Sequence, residues 1–224
     1  MKLVSWYAKP LFGEVPLANY PVIAKIQKTS HHLPMHFGCY TQSNDPHWIH
    51  SLPDLRPRAP RETAKWLQDR GSLTSHVKRA CPGRVRVQVL QQSWGRLQHE
   101  ADCLEMPRIR RAWLREVRIL CGEQAWIYAR TVIPVTTLAG GAKVLLRLGT
   151  KPLGSVLFAD PTVVRGRVEV TRLQPCHWLY QRAAPRDLPP YLWGRRSVFW
   201  MCGQPLLVVE VFLTNPDNTP ISNL

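Results

Sequence analysis

A single carboxylate interrupts the most apolar run of this chain. Leu206 to Leu213 reads LLVVEVFL, and Glu210 is its one charged residue. At a side-chain period of two, Leu206, Val208, Glu210 and Phe212 share one face of a strand, and Leu207, Val209, Val211 and Leu213 share the other. Both faces are apolar enough to be buried, so the run predicts a central strand with a carboxylate aimed into an interior. An ionised carboxylate there costs on the order of several kcal/mol unless something pairs with it. The matching cation lies in WLREVRILC. One face of that segment carries Trp113, Arg115, Val117, Ile119 and Cys121, and Arg115 is its only charge. The opposite face, with Leu114, Glu116, Arg118 and Leu120, has alternating charges that suit partial exposure. An arginine cannot shed its proton, so burial of Arg115 demands an anion. Glu210 and Arg115 could pair with each other. They could equally flank a small ligand that carries both a carboxylate and a hydroxyl.

Other familiar chemistry is missing from the chain. It has no GxxxxGK[ST] loop, no GxGxxG after a strand, no HExxH and no GxSxG. His31, His32, His36 and Cys39 lie close together, with His47 and His50 beyond, but no metal-ligand spacing repeats. His76, His99 and His177 have no matching Cys or Asp pattern. Arg195 and Arg196, beside Trp193, suit an ion-paired or solvated strand better than a nucleic-acid patch.

The elements that must hold these charges read as hairpins. Trp193 to Leu213 is two strand-forming runs around a Cys202-Gly203-Gln204 break. Residues 112–121 and 125–133 form a second pair around Cys121-Gly122-Glu123-Gln124. Arg84 to Leu90 and Thr162 to Leu173 alternate as half-buried strands, which brings the number of expected strands to six. Arg61 to Gln68 predicts a short helix ended by Gly71-Ser72, Leu138 to Leu148 a second, and Leu153-Gly154 after Pro152 the start of a third. Gln174 to Pro190 reads as a Pro-rich connection. The fold class is therefore α+β, a six-stranded antiparallel sheet with helices on one side. Residues 1–60, rich in Pro and His, are expected to be a poorly ordered extension, and 61–224 a single domain.

The chain has 224 residues, a formal charge of +15, 45% hydrophobic residues, nine Trp and six Cys. That length and apolar content supply one sizeable core. The basic residues are dispersed, which argues against a continuous nucleic-acid face. No apolar run reaches the roughly 18–20 residues a membrane helix needs, and the N-terminus carries no signal-peptide pattern. The scattered cysteines, with no CxxC pair, predict reduced thiols in a cytoplasmic protein.

WLREVRILC, ARTVIPVTTL, LGTKPLG and LWGRRSVFW…GQPLLVVEVFL, in this order and spacing, resemble the bacterial chorismate pyruvate-lyases, and WLQDRGSLT fits the start of that pattern. The resemblance covers about residues 62–213. It implies conversion of chorismate to 4-hydroxybenzoate and pyruvate, feeding ubiquinone synthesis, without metal or organic cofactor. It implies Arg115 as the ligand-binding arginine and Glu210 as the acidic residue, with Leu153 and Leu73 also at the ligand. Arg130 is a lesser candidate for the enolpyruvyl carboxylate. The expected partner is the small-molecule substrate, with no nucleic acid and no membrane insertion, and the chain is expected to be a monomer. A rival reading is a ligand-sensing domain of the kind found in GntR-type regulators, which share this fold. It would need a winged helix that the first 60 residues do not supply.

Overall fold

The computed structural model describes residues 44–56, 58–108, 110–184 and 189–214. The clustered His31, His32, His36 and Cys39 lie outside them. Seven strands build one antiparallel sheet: β1 (Val85–Arg96), β2 (Arg111–Cys121), β3 (Gln124–Pro134), β4 (Val164–Arg165), β5 (Glu169–Leu173), β6 (Leu192–Met201) and β7 (Gln204–Phe212). Their spatial order is β1-β2-β3-β7-β6-β4, and β5 also pairs with β6. The apolar run around Glu210 is thus central, between β3 and β6, and it is buried on both faces.

Both expected hairpins form. Gly122 turns the first at φ 58°, and Cys202 and Gly203 turn the second at φ 52° and 71°, the doubly positive backbone of a two-residue hairpin loop. The expected strand over 162–173 is broken. β4 and β5 both pair with β6 but are separated at residues 166–168, where the Gly166 N–H donates to Val198 O at 2.8 Å. A Cβ at Gly166 would stand 3.1 Å from that same carbonyl. This break turns the six expected strands into seven.

The helices are α1 (Arg61–Gln68), α2 (Leu73–Ala80), α3 (Val135–Ala139), α4 (Gly154–Leu157) and α5 (Trp178–Ala183). The helix expected over 138–148 is instead α3 and a 3-10 turn, Ala142–Arg147, parted at Gly140-Gly141. Sequence reading missed α2 altogether. Its Ser72 cap accepts from Ser75 N–H, and Leu73 and Val77, one turn apart, are its buried residues.

Leu67 of α1 and Leu73 and Val77 of α2 pack with Ile119, Ile127, Phe212 and Trp193. Leu138, Leu145 and Leu157 pack with Ile133, Phe199, Leu206 and Val208. All these strand residues belong to one face of the sheet, so α1 to α4 cover that face. α5 is the exception. Its Leu179, Tyr180 and Ala183 pack with Tyr128, Val132, Leu207, Val209 and Val211 on the other face, together with Leu97, Ala101 and Leu104 from the β1–β2 connection. The Glu116 face of β2, expected to be partly exposed, is therefore covered.

Residues 44–56 pack with the sheet. Ile49 bridges to Val170, Leu55 is in the core, and Arg196 stacks on Trp48 at 4.6 Å. Cys81, at the C-cap of α2, is joined to Cys121 at the end of β2 by a disulfide. This corrects the expectation that all the cysteines are reduced thiols. Folding α2 back onto the first hairpin brings together two residues 40 apart in sequence. Cys103 and Cys202 are free. No helix among the described residues is long and apolar enough to cross a membrane.

Candidate active site

Strand register sets the charges in rows. Arg115, Thr131, Val208 and Ser197 lie side by side across β2, β3, β7 and β6. The next row is Val117, Ala129, Glu210 and Arg195. Arg115 and Glu210 thus stand on one face, one row and two strands apart. Between them and the helices is a cavity of about 560 Å³ including its open mouth, lined by Arg115, Glu210, Leu73, Leu153, Arg165 and Phe199 among others. The four residues singled out from sequence all border this one space.

Arg115 is 2% exposed. Its Nη2 donates to Gly149 O at 3.0 Å and Lys151 O at 3.1 Å. Gly149 has φ 52°, which a side-chain-bearing residue rarely adopts, and this turn presents the carbonyl to the guanidinium. Nε is buried with no partner, and no carboxylate pairs with Arg115 among the described residues. Burial pushes this guanidinium below its ordinary pKa, the direction expected of a cation stripped of water without a counter-ion.

Glu210 has its partner elsewhere. Arg195 Nε donates to Glu210 Oε2 at 2.6 Å, and Arg195 Nη1 donates to Trp66 O and Asp69 O, both at 2.6 Å. One fully buried guanidinium thus ties the acidic residue to the end of α1. Arg195 was read from sequence only as part of an ion-paired or solvated strand. It is ion-paired, as is Arg196 with Glu169 at 2.6 Å.

The cover over the cavity has two parts. The turn from α1 to α2 brings Gly71, Ser72, Leu73 and Thr74; the start of α4 brings Leu153 and Gly154. They meet closely, since a Cβ on Gly154 would stand 2.7 Å from Ser72 Oγ. Asp69 braces the turn: its Oδ1 accepts from Gly71 N–H at 2.6 Å and lies 2.9 Å from His76 Nε2. Its pKa is lowered. Burial would raise it, but the Gly71 and His76 contacts and the Arg195 charge together outweigh that.

Arg130 is not at the cavity. It lies on the opposite face, where Nε donates to Glu100 at 2.7 Å and Nη1 to Glu116, whose carboxylate also accepts from Arg182 Nε at 2.6 Å. The bulge between Ile119 and Leu120 is the cause. Counted back from the Cys121–Gln124 turn, Arg130 would stand opposite Arg115; the extra residue puts Thr131 there and Arg130 opposite Glu116. A slip of one residue exchanges the faces.

A family model described as "Chorismate lyase" matches residues 45–219. The chain belongs to the chorismate lyase family. It is 39% identical over 172 residues to "Probable chorismate pyruvate-lyase" of Aromatoleum aromaticum, covering 74% of this chain and 91% of that protein. It is 36% identical over 160 residues to "Chorismate pyruvate-lyase" of Serratia proteamaculans, covering 70% of this chain and 81% of that one. Among solved structures it is similar to the C-terminal domain of PhnF at a TM-score of 0.48 and 13% identity, over 66% of this chain and 91% of that domain. In this chorismate lyase family member, sequence reading missed two cations of the site, Arg165 in the cavity wall and Arg195, which does not line the cavity but holds Glu210.

Proposed function

We propose that this protein converts chorismate to 4-hydroxybenzoate and pyruvate, in the cytoplasm, as the first step towards ubiquinone, and that it acts as a monomer. The observation that carries this reading is Arg115: a buried guanidinium with no carboxylate partner among the described residues, at the wall of a cavity that the Glu210 carboxylate also lines. A ligand with a ring carboxylate at one end and a hydroxyl opposite it satisfies both. Family membership supplies the chemistry such a ligand undergoes.

The reaction takes the ring hydrogen geminal to the hydroxyl as a proton and breaks the adjacent C–O bond. The ring becomes aromatic, and the enolpyruvyl group leaves with the oxygen, takes up a proton and becomes pyruvate. Aromatisation drives the reaction, so the protein has only to orient the substrate, balance its charge and manage one proton. Arg115 anchors the ring carboxylate, and Leu73 and Leu153 close over the ring. Glu210 has Oε2 committed to Arg195, which leaves Oε1 to accept from the ring hydroxyl. That arrangement favours a hydroxyl-holding carboxylate over a free base. No residue in this scheme calls for a metal or an organic cofactor.

The test is incubation of the purified protein with chorismate in a chelator, with 4-hydroxybenzoate and pyruvate assayed together. Equimolar appearance of both is expected. Failure of the wild-type protein to form either would overturn the reading.

A further inference from the structure

Arg165 is a charged wall residue that the scheme above leaves unused. It stands in β4, opposite Phe199 of β6, with its guanidinium carbon 5.2 Å from the Phe199 ring centroid. Its Nε donates to Ser197 Oγ at 3.1 Å, and its Nη1 to Arg70 O at 2.7 Å and Gly71 O at 3.3 Å in the cover turn. Nη2 makes no hydrogen bond among the described residues, and no carboxylate is within ion-pair distance of Arg165 among them. Burial first, and then the like charge of Arg195, pull its pKa down to about 10.

The charges around the cavity therefore come in two kinds. Glu210 is cancelled by Arg195 at 2.6 Å. Arg115 and Arg165, both at the wall, make no ion pair among the described residues. Two uncompensated guanidiniums in a partly closed space call for a ligand with two negative charges. The substrate proposed above carries two carboxylates, and its aromatic product carries one. Serine, phenylalanine ring and backbone carbonyls hold the Arg165 guanidinium on three sides, which leaves Nη2 to donate to an anion.

We infer that Arg165 binds the second carboxylate, on the enolpyruvyl arm of the substrate, and so separates the substrate from the product within one cavity. The inference rests on the reading under Proposed function. It gives that reading a direction: loss of pyruvate removes the ligand's hold on Arg165, and the remaining monoanion is held by Arg115 and Glu210 alone.

The experiment uses equilibrium binding, so that it does not depend on turnover. The probes are 4-hydroxybenzoate and 3-(carboxymethoxy)-4-hydroxybenzoate, which adds a carboxylate on an ether arm and cannot react. Titrated against Arg165→Gln, the dicarboxylate is expected to lose about 10- to 100-fold in affinity, the range of one charged hydrogen-bonded contact, with 4-hydroxybenzoate unchanged. Because Arg165 also holds the cover turn, Ser197→Ala provides a second variant that frees the fork without cutting the Nη1 bonds. A smaller loss, again confined to the dicarboxylate, is expected. Equal losses for both probes would make Arg165 a latch of the cover and overturn the inference, as would no loss for either. The Arg165 result is separable from the parent reading, because that reading fails on wild-type turnover while this one fails on the ratio of two affinities.

Discussion

The two faces of this sheet treat their buried arginines differently. On the α5 face, Arg130 meets Glu100 and Glu116, and Arg182 shares the Glu116 carboxylate. On the cavity face Arg195 is paired with Glu210, but among the described residues Arg115 has only backbone carbonyls and Arg165 only carbonyls and a hydroxyl. The strands are the same and burial is comparable: Arg130 is 7% exposed and Arg115 2%. What differs is whether the chain supplies the anion itself. A closed network is a fixed part of the core, while an open one holds a cation whose charge the surrounding side chains do not balance. Burial of a charge therefore does not mark a site. Burial of a charge without a countercharge does.

The contrast breaks most visibly on the closed face. Arg130→Met strands Glu100 in the interior, leaves Glu116 with Arg182 alone, and is expected to cost about 3–5 kcal/mol of stability, measured by urea unfolding, while the folded fraction keeps its affinity for 4-hydroxybenzoate. Loss of affinity at unchanged stability would erase the distinction between the faces. Glu210→Gln is expected to reduce single-turnover formation of 4-hydroxybenzoate by about 10²-fold or more. It should cost less stability than Arg130→Met, because Arg195 keeps its bonds to Trp66 O and Asp69 O. A stability loss as large, with normal turnover, would make Glu210 a core ion-pair residue.

Arg115→Lys keeps the charge and loses the fork. We expect 4-hydroxybenzoate affinity to fall by about tenfold, one hydrogen bond to a charged group, with thermal unfolding nearly unchanged. Isothermal titration of both proteins decides this, and equal affinities would remove Arg115 from the site. The smallest effect concerns the cover. The folded-state pKa of Asp69 is depressed, so its contribution is present above its unfolded value and is lost as pH falls through the folded one. Wild type and Asp69→Asn should differ in melting temperature near neutrality and converge as the pH is taken down through the carboxylate range. A gap that persists in acid would mean that the Gly71 and His76 contacts do not depend on the charge.

The central strand, both hairpins and the Arg115–Glu210 face were legible because period-two alternation puts a lone charge among apolar neighbours where nothing else explains it. Arg195 and Arg165 were not legible. Arg195 is followed by Arg196, and Arg165 sits in VVRGRVEV with charges at every second position. Alternating charge looks the same whether the face is solvated or closed by a distant turn. Arg130 was misplaced because a bulge leaves no composition signal, and one extra residue reverses the face. Helix α2 was missed although Leu73 and Val77 have helical spacing, since two large apolar residues and a terminal alanine in eight are too few to outweigh the polar remainder. Residues 44–56 lack periodicity, and they hold their place through Ile49, Leu55 and Trp48. Of chains starting at residue 44 and at residue 61, the second is expected to melt lower.

The Cys81–Cys121 bond has a mechanical consequence. It closes residues 81–121 into a covalent ring that contains the whole of edge strand β1 and all of β2. Tension applied to the ends of the chain passes through the two sulfurs and bypasses those strands. A protein pulled to full extension would come up short by about 40 residues' worth of contour, roughly 130–145 Å at 3.3–3.6 Å per residue, and would recover that length on reduction. A protease that cut once in the connection between β1 and β2 would leave both fragments on one molecule.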